Sequence, residues 1–262
     1  MIEFDYGSAA TRGQRSYQED ASAVWPGAVA FDLPVDLARP ANGTLIAVLA
    51  DGMGGHAGGA EASQTVCRCF IQHVATSADT DPSRLLSGLH AANDAISATV
   101  SEKPQLDGMG STMIGAAFAP DGLQWVSVGD SPLYLYRGGE IALLNEDHSL
   151  APALDQLAAA GEITFEQARN DPRRHMLRSA ITGEELDLVD VSQKPLQLAA
   201  GDLVILATDG IHTLEPGEVV RITAAYFDDG PQAIADALIR SIENHREPHQ
   251  DNATIIVVQK SE

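Results

Sequence analysis

Carboxylates at the ends of apolar runs are the residues of this chain best suited to chemistry. Thr44-Leu45-Ile46-Ala47-Val48-Leu49 reads as a buried strand and leads into Ala50-Asp51-Gly52-Met53-Gly54-Gly55-His56. An aspartate that stops such a strand is held at a sheet end by the strand behind it. The glycines after it let the backbone approach a ligand closely, because no Cβ intervenes. His56 can donate a proton or hold a water. A carboxylate, a bare carbonyl and an imidazole so close together suit a hard divalent cation, which takes oxygen ligands including backbone carbonyls. Taken alone, the run fits an ordinary tight turn as well.

The pattern returns. Asp202-Leu203-Val204-Ile205-Leu206-Ala207-Thr208-Asp209-Gly210 is again a strand ending in Asp-Gly. Trp125-Val126-Ser127-Val128-Gly129-Asp130-Ser131 ends in an acid, and Gln250-Asp251-Asn252 opens the apolar run from Ala253 to Val258. Arg15-Ser16-Tyr17-Gln18-Glu19-Asp20 sets two adjacent carboxylates after an arginine. If these ends converge, the carboxylates repel one another and need cations to hold them together. A guanidinium beside them offers a fork matched to phosphate oxygens.

The elements that must position these groups follow from periodicity. Ala60 to Ser77 and Pro82 to Ser101 read as helices, the first with Ala62, Val66, Cys69, Phe70 and His73 in a stripe, the second with Leu85, Leu89, Ala92 and Ile96. Asp81 and Pro82 fit a cap and a first helical residue. Met113 to Phe118, Leu123 to Val128, Pro132 to Tyr136 and Ile141 to Leu144 read as an antiparallel meander. Ala153 to Ala160 and Thr164 to Arg169 are helical, and Arg173, Arg174 and Arg178 form a basic patch that could attract an acidic phosphopeptide. Strands resume at Leu186 to Val191 and Leu203 to Ala207. Helices follow at Pro216 to Ala225 and Pro231 to Asn244, before the last strand. Ala28 to Asn42 is an apolar loop or irregular hairpin. Strand blocks separated by helix pairs, without regular alternation, indicate an α+β fold.

Composition narrows the field. The chain has 262 residues, enough for one large domain, and a formal charge of −21. That charge argues against nucleic-acid binding, which relies on Lys and Arg. It also repels a phosphate dianion, a conflict that bound cations would resolve by inverting the local field. No apolar run reaches the roughly 20 residues of a membrane helix, and the N-terminus does not read as a signal peptide, so a cytoplasmic enzyme is expected. Cys67 and Cys69 are the only cysteines. They read as buried or half-buried residues, with no second pair for a zinc site and no arginine six positions on for a cysteinyl-phosphate loop.

The motifs together resemble the metal-dependent protein phosphatases of the PP2C (PPM) family, in the compact bacterial serine/threonine form. The resemblance runs from about Tyr6 to about Val258. It is carried by Gly13-x-Arg15-x-x-x-Glu19-Asp20, Asp51-Gly52-Met53-Gly54-Gly55-His56, Gly110-Ser111-Thr112, Gly129-Asp130-Ser131, Asp147-His148-Ser149, Thr208-Asp209-Gly210 and Asp251-Asn252. It implies a four-layer αββα sandwich, two packed antiparallel sheets flanked by helix pairs, in a single domain over residues 1–262. Residues from about 150 to 183 would be a mobile flap beside the active site.

The resemblance also implies an activity: hydrolysis of phosphoserine and phosphothreonine on proteins by a metal-activated water. By the same resemblance Asp51 bridges two Mn2+ or Mg2+ ions, the Gly52 carbonyl binds one, and Asp209 and Asp251 complete the other. Glu19 and Asp20 would bind the cluster directly or through waters. Arg15 would grip the phosphate, and His56 would protonate the leaving oxygen or orient a water. Asp130 is the candidate for a weak third ion. Two departures bear on that ion: Pro132 stands where the family commonly has arginine, and Thr213 where an aspartate is common. They leave a second reading open, a catalytically weak regulatory or binding module. Asp147-His148-Ser149 reads as a structural turn into the flap. The implied partners are phosphorylated proteins and a Ser/Thr kinase, with the chain itself a monomer.

Overall fold

A computed structural model describes residues 4–27, 43–55, 57–76 and 83–261 (for Ala57, the backbone alone). The readings of 28–42, of the Asp81–Pro82 helix start and of His56 lie outside the described residues. Two antiparallel sheets carry the fold. The first has the order β1-β11-β10-β7-β8, with β1 at Phe4–Thr11, β7 at Leu133–Arg137, β8 at Glu140–Leu143, β10 at Leu203–Ala207 and β11 at Ala253–Lys260. The second has the order β2-β3-β5-β6-β9, with β2 at Asp20–Trp25, β3 at Leu45–Met53, β5 at Met113–Ala119, β6 at Gly122–Val128 and β9 at Asp190–Val191. A short β4, Gly110–Ser111, pairs with the end of β3.

Alternation along the strands explains the layers, since successive side chains point to opposite faces. In β3, Ile46, Val48 and Ala50 face α1 (Ala57–Thr76) and share a core with its Val66 and Phe70, a core that Leu85, Leu89 and Ile96 of α2 (Ser83–Glu102) complete. The intervening Leu45, Ala47 and Leu49 face the other sheet, meeting Leu133, Val204, Leu206 and Ile256. On the far side Leu203, Ile205, Ile255 and Val257 pack against Val219 of α5 (Pro216–Ala225) and Ile234, Leu238 and Ile242 of α6 (Pro231–His245). Central strands are thus apolar on both faces, and the result is the expected αββα sandwich. Fully burying each of these large aliphatic side chains is worth about 1.5–3 kcal/mol.

Four local expectations are corrected. First, β3 does not stop at Asp51. It leaves β5 after Leu49 and continues through Gly52 and Met53, which pair with Ser111 and Gly110. Second, α1 starts before Ala60, taking in Gly58 and Gly59, and its buried stripe runs through Cys67, Ile71 and Val74. Cys69 is only half-buried, and the His73 ring is hydrogen-bonded to the Ser87 hydroxyl at 2.8 Å. Third, the expected strand over Leu186–Val191 shrinks to Asp190–Val191, because the Ser179 hydroxyl takes both backbone groups of Leu188 (2.8 and 3.1 Å) in place of a ladder. Fourth, β1 and β2 carry no clear alternation in the sequence and were not foreseen as strands.

The segment from 150 to 183 forms two short helices, α3 (Ala151–Ala159) and α4 (Phe165–Arg169). They share a small core of Leu154, Ala158 and Ala168. A capping box between Thr164 and Gln167 starts α4. Ser149 bridges to Leu177 and Ser111 to Ile181, which returns the chain beside β4. Asp147 Oδ1 accepts from the Ser149 N–H at 2.7 Å, and Ser149 Oγ accepts from the Ala151 N–H at 3.1 Å, so this triplet turns the chain into α3.

Candidate metal centre and cleft

Where the two sheets meet at one end, a cleft of about 690 Å3 opens. Arg15, Glu19, Asp51, Gly52, Asp130, Asp209 and Asp251 all line it. Seven sequence-identified residues, drawn from five separated stretches, therefore share one cavity. Asp20 does not line it and lies buried behind.

The topology accounts for the convergence. Asp20 and Asp51 are cross-strand partners in the β2–β3 ladder. Thr112 holds Asp51 from both sides, its N–H donating to the Asp51 carbonyl at 2.9 Å and its Oγ1 accepting from the Asp51 N–H at 3.1 Å. Asp209 opens a 3-10 turn, Asp209–Thr213, directly after β10, and Asp251 immediately precedes β11. Those strands are neighbours, with Ala207 opposite Ile255. Asn252 ties in the first loop: its Oδ1 accepts from the Glu19 N–H at 2.7 Å and its Nδ2 donates to the carbonyls of Arg12 and Tyr17.

Two glycines let helix and strand touch. A Cβ on Gly52 would sit 2.0 Å from the Gly59 carbonyl oxygen, and one on Gly59 would sit 2.4 Å from Glu19 Oε1. The start of α1 is therefore pressed against the end of β3, next to Asp51, and against the Glu19 side chain.

The carboxylates feel one another strongly. Burial, then the charges of Asp20, Asp209, Asp130 and Asp251, push the Asp51 carboxyl well above its usual range. Burial, then Asp251, raises Asp209. Asp130 is pushed up to about 7 by burial and by Asp209 and Asp147. Asp20 is also raised to about 7, chiefly by burial, although Thr208 and Thr254 donate to its Oδ2 at 2.9 and 2.8 Å.

These residues fit a hard cation. Glu19 Oε1, Asp20 Oδ1 and Asp209 Oδ1 are buried with no hydrogen-bond partner. A buried carboxylate oxygen without donor or cation is costly, so each of the three calls for a counterpart. No three acidic, histidine or cysteine side chains among the described residues are already drawn into a finished ligand set. The unpartnered oxygens weigh more, because their burial cost stands whatever the rotamers. An all-oxygen donor set suits Mg2+ or Mn2+.

Arg15, singled out in the sequence for phosphate, is engaged by a carboxylate of the centre. Its Nη2 donates to Asp251 Oδ2 at 2.5 Å, with both side chains partly exposed. The basic patch behaves differently from expectation. Arg173 is paired with Asp171 and Arg174 with Asp155, each at 2.8 Å, and only Arg178 lines the cleft. Thr213 donates to Gln250 Oε1 at 2.5 Å, so the position that departs from the family pattern is tied into the turn below Asp209. Thr112, Thr208, Thr254 and Asn252 were missed as positioning residues. Three of them lie within the quoted motifs, but no charge or periodicity marks their task.

An α+β sandwich with an oxygen-only carboxylate centre at its strand ends defines a metalloprotein class. Comparison with known proteins narrows it. The protein phosphatase 2C family profile matches residues 34–250. The serine/threonine protein phosphatase PstP of Mycobacterium tuberculosis is 34% identical over 221 residues, covering 82% of this chain and 40% of PstP. The chain thus spans under half of that relative's length. The serine/threonine phosphatase stp of Listeria welshimeri is 28% identical over 225 residues, covering 82% of this chain and 84% of that protein. The crystal structure of the catalytic domain of PstP in complex with two manganese ions superposes with a TM-score of 0.77 at 28% identity, covering all of both chains. This chain belongs to the protein phosphatase 2C family.

Proposed function

We propose that the chain hydrolyses phosphoserine and phosphothreonine on proteins, with two Mn2+ or Mg2+ ions in the carboxylate centre. The observation that carries this reading is the sharing of one cleft by Arg15 and the carboxylates of Glu19, Asp51, Asp209 and Asp251. The two manganese ions of the PstP structure support it.

When bound, the ions would supply positive charge to the phosphoryl group and an acidified water. The chain's own residues do the rest. Asp51 and the Gly52 carbonyl would hold the ions from the β3 side, and Asp209 and Asp251 from the β10–β11 side. Glu19 reaches the cleft directly; Asp20 supports Asp51 from behind. Asp130 is the candidate for a third ion. Arg15, oriented by Asp251, presents its remaining N–H groups to phosphate oxygens. His56 would donate the proton to the leaving oxygen or hold a water. Cys67 supplies no nucleophile: it is buried, burial pushes its thiol up, and it is hydrogen-bonded to the Ala21 carbonyl at 3.5 Å.

In this reading residues 1–262 act as one domain, a cytoplasmic monomer opposing a Ser/Thr kinase. No helix among the described residues is long and apolar enough to cross a membrane. The test is phosphate release from a phosphothreonine peptide after EDTA treatment and after Mn2+ is restored. Release that needs Mn2+ supports the proposal; release unchanged by EDTA overturns it.

A further inference from the structure

The cleft has a second wall, built by residues 175–187, whose charge bears on which phosphoproteins it accepts. Glu184, Glu185 and Asp187 line the cleft with exposed side chains and make no ion pair among the described residues. Arg178 is the one arginine of the former basic patch on this wall, so its fixed charge is net negative. The wall is held at both ends. Asn93 of α2, itself buried, accepts from the Gly183 N–H at 2.9 Å and donates to the Glu184 carbonyl at 2.7 Å. The Ser179 hydroxyl fixes Leu188. Gly183 has φ +85° and presses on Ser97, where a Cβ would meet the Ser97 nitrogen at 2.7 Å. The acids therefore stand on a preorganised turn, which lowers the ordering cost of binding.

We propose that this wall selects phosphoproteins with lysine or arginine beside the phosphoresidue, and that Glu184, Glu185 and Asp187 are the specificity-determining side chains. The proposal rests on the phosphatase reading above. The acids are not a site in themselves. They flank a cleft whose floor holds the unpartnered Asp209 Oδ1 and Glu19 Oε1. A phosphoryl group anchored there lays its neighbouring residues along the wall. Cationic flanks meet complementary charge, and acidic flanks meet repulsion.

The test compares two phosphothreonine peptides of equal length, one flanked by lysines and one by glutamates, with Mn2+ present. The native chain should show a kcat/KM ratio of about tenfold in favour of the lysine peptide, shrinking at high salt. Glu184→Gln/Glu185→Gln/Asp187→Asn should bring the ratio close to one, and Arg178→Gln should increase it. Arg173→Gln, at a residue paired away from the cleft, should leave the ratio as it is. Fluorescence anisotropy of the same peptides gives a second readout that needs no turnover. Native chain that hydrolyses p-nitrophenyl phosphate yet treats both peptides alike would overturn this inference alone. Native chain that hydrolyses neither peptide nor p-nitrophenyl phosphate would overturn the phosphatase reading, and this inference with it.

Discussion

Asp20 and Asp51 stand directly opposite each other in the β2–β3 ladder. Like charges so placed destabilise a sheet, and both carboxyls are held above their usual range, by burial first and then by Asp209 and Asp251, with Asp20 adding to the rise at Asp51. Asp51 faces the cleft and Asp20 lies buried behind it, so a cation held by Asp51 would offset the repulsion that the pair carries. Asp51→Asn should therefore raise the Tm of the protein in EDTA, by about 2–4 °C for each kcal/mol of relieved repulsion. The same variant should lose the Tm gain that Mn2+ gives the native chain. Thermal scans with and without Mn2+ measure both; a lower Tm in EDTA would contradict this account of the pair.

The pH dependence of metal-free stability follows from the same groups. Asp20 and Asp130 titrate near 7 in the folded chain, against an ordinary 3.8. Between those values the folded state binds protons that the unfolded state does not, so stability falls as pH rises. Their favourable contribution is complete below about 3.8 and is lost as pH climbs through about 7. Urea unfolding in EDTA from pH 4 to 8 should show this decline, and Asp20→Asn should make it shallower. Identical slopes for native and variant would remove Asp20 from the explanation.

Gly59 tests the fit of helix to strand. Alanine there would put its Cβ 2.4 Å from Glu19 Oε1 and 2.9 Å from the Gly52 carbonyl oxygen. Something must move, at a cost of about 1–3 kcal/mol. Gly59→Ala should lower the denaturant midpoint and weaken Mn2+ affinity, because both displaced atoms are candidate ligands. Gly217→Ala, where a Cβ meets nothing within 4 Å, is the control.

Arg15 should matter for phosphate and little for folding. Its ion pair with Asp251 joins side chains that are 51% and 40% exposed, and surface pairs contribute about 0–1 kcal/mol. Arg15→Lys should leave the Tm within a few degrees. It should lower kcat/KM by about 10- to 100-fold, the loss expected when a bidentate charged contact is removed. A large Tm loss with near-native kinetics would reverse that assignment.

The sequence disclosed the carboxylates and an α+β fold because both have simple signatures, and the resemblance to the family supplied the sandwich. Asp51, Asp130, Asp209 and Asp251 each sit beside a run of apolar residues, and a strand buried on both faces reads as such a run. What it hid depends on contacts between distant segments. The hydroxyl of Ser179 replaces a strand ladder at Leu188, which no local propensity records. Gly58 and Gly59 look like helix breakers, yet both belong to α1, and at Gly59 only glycine lets the helix approach Gly52 and Glu19. The flap arginines read as one basic patch, but Asp171 and Asp155 take two of them. A charge pattern along the chain does not show which charges are already paired.

The central claim is that Glu19 before β2, Asp51 of β3 and the Asp209–Asp251 pair at the β10–β11 end form one two-metal centre. Its most direct measurement is a calorimetric titration of the EDTA-stripped, dialysed protein with Mn2+, alongside Asp51→Asn. The account predicts two ions per chain and loss of high-affinity binding in the variant. Undiminished Mn2+ binding in a folded Asp51→Asn protein would contradict it.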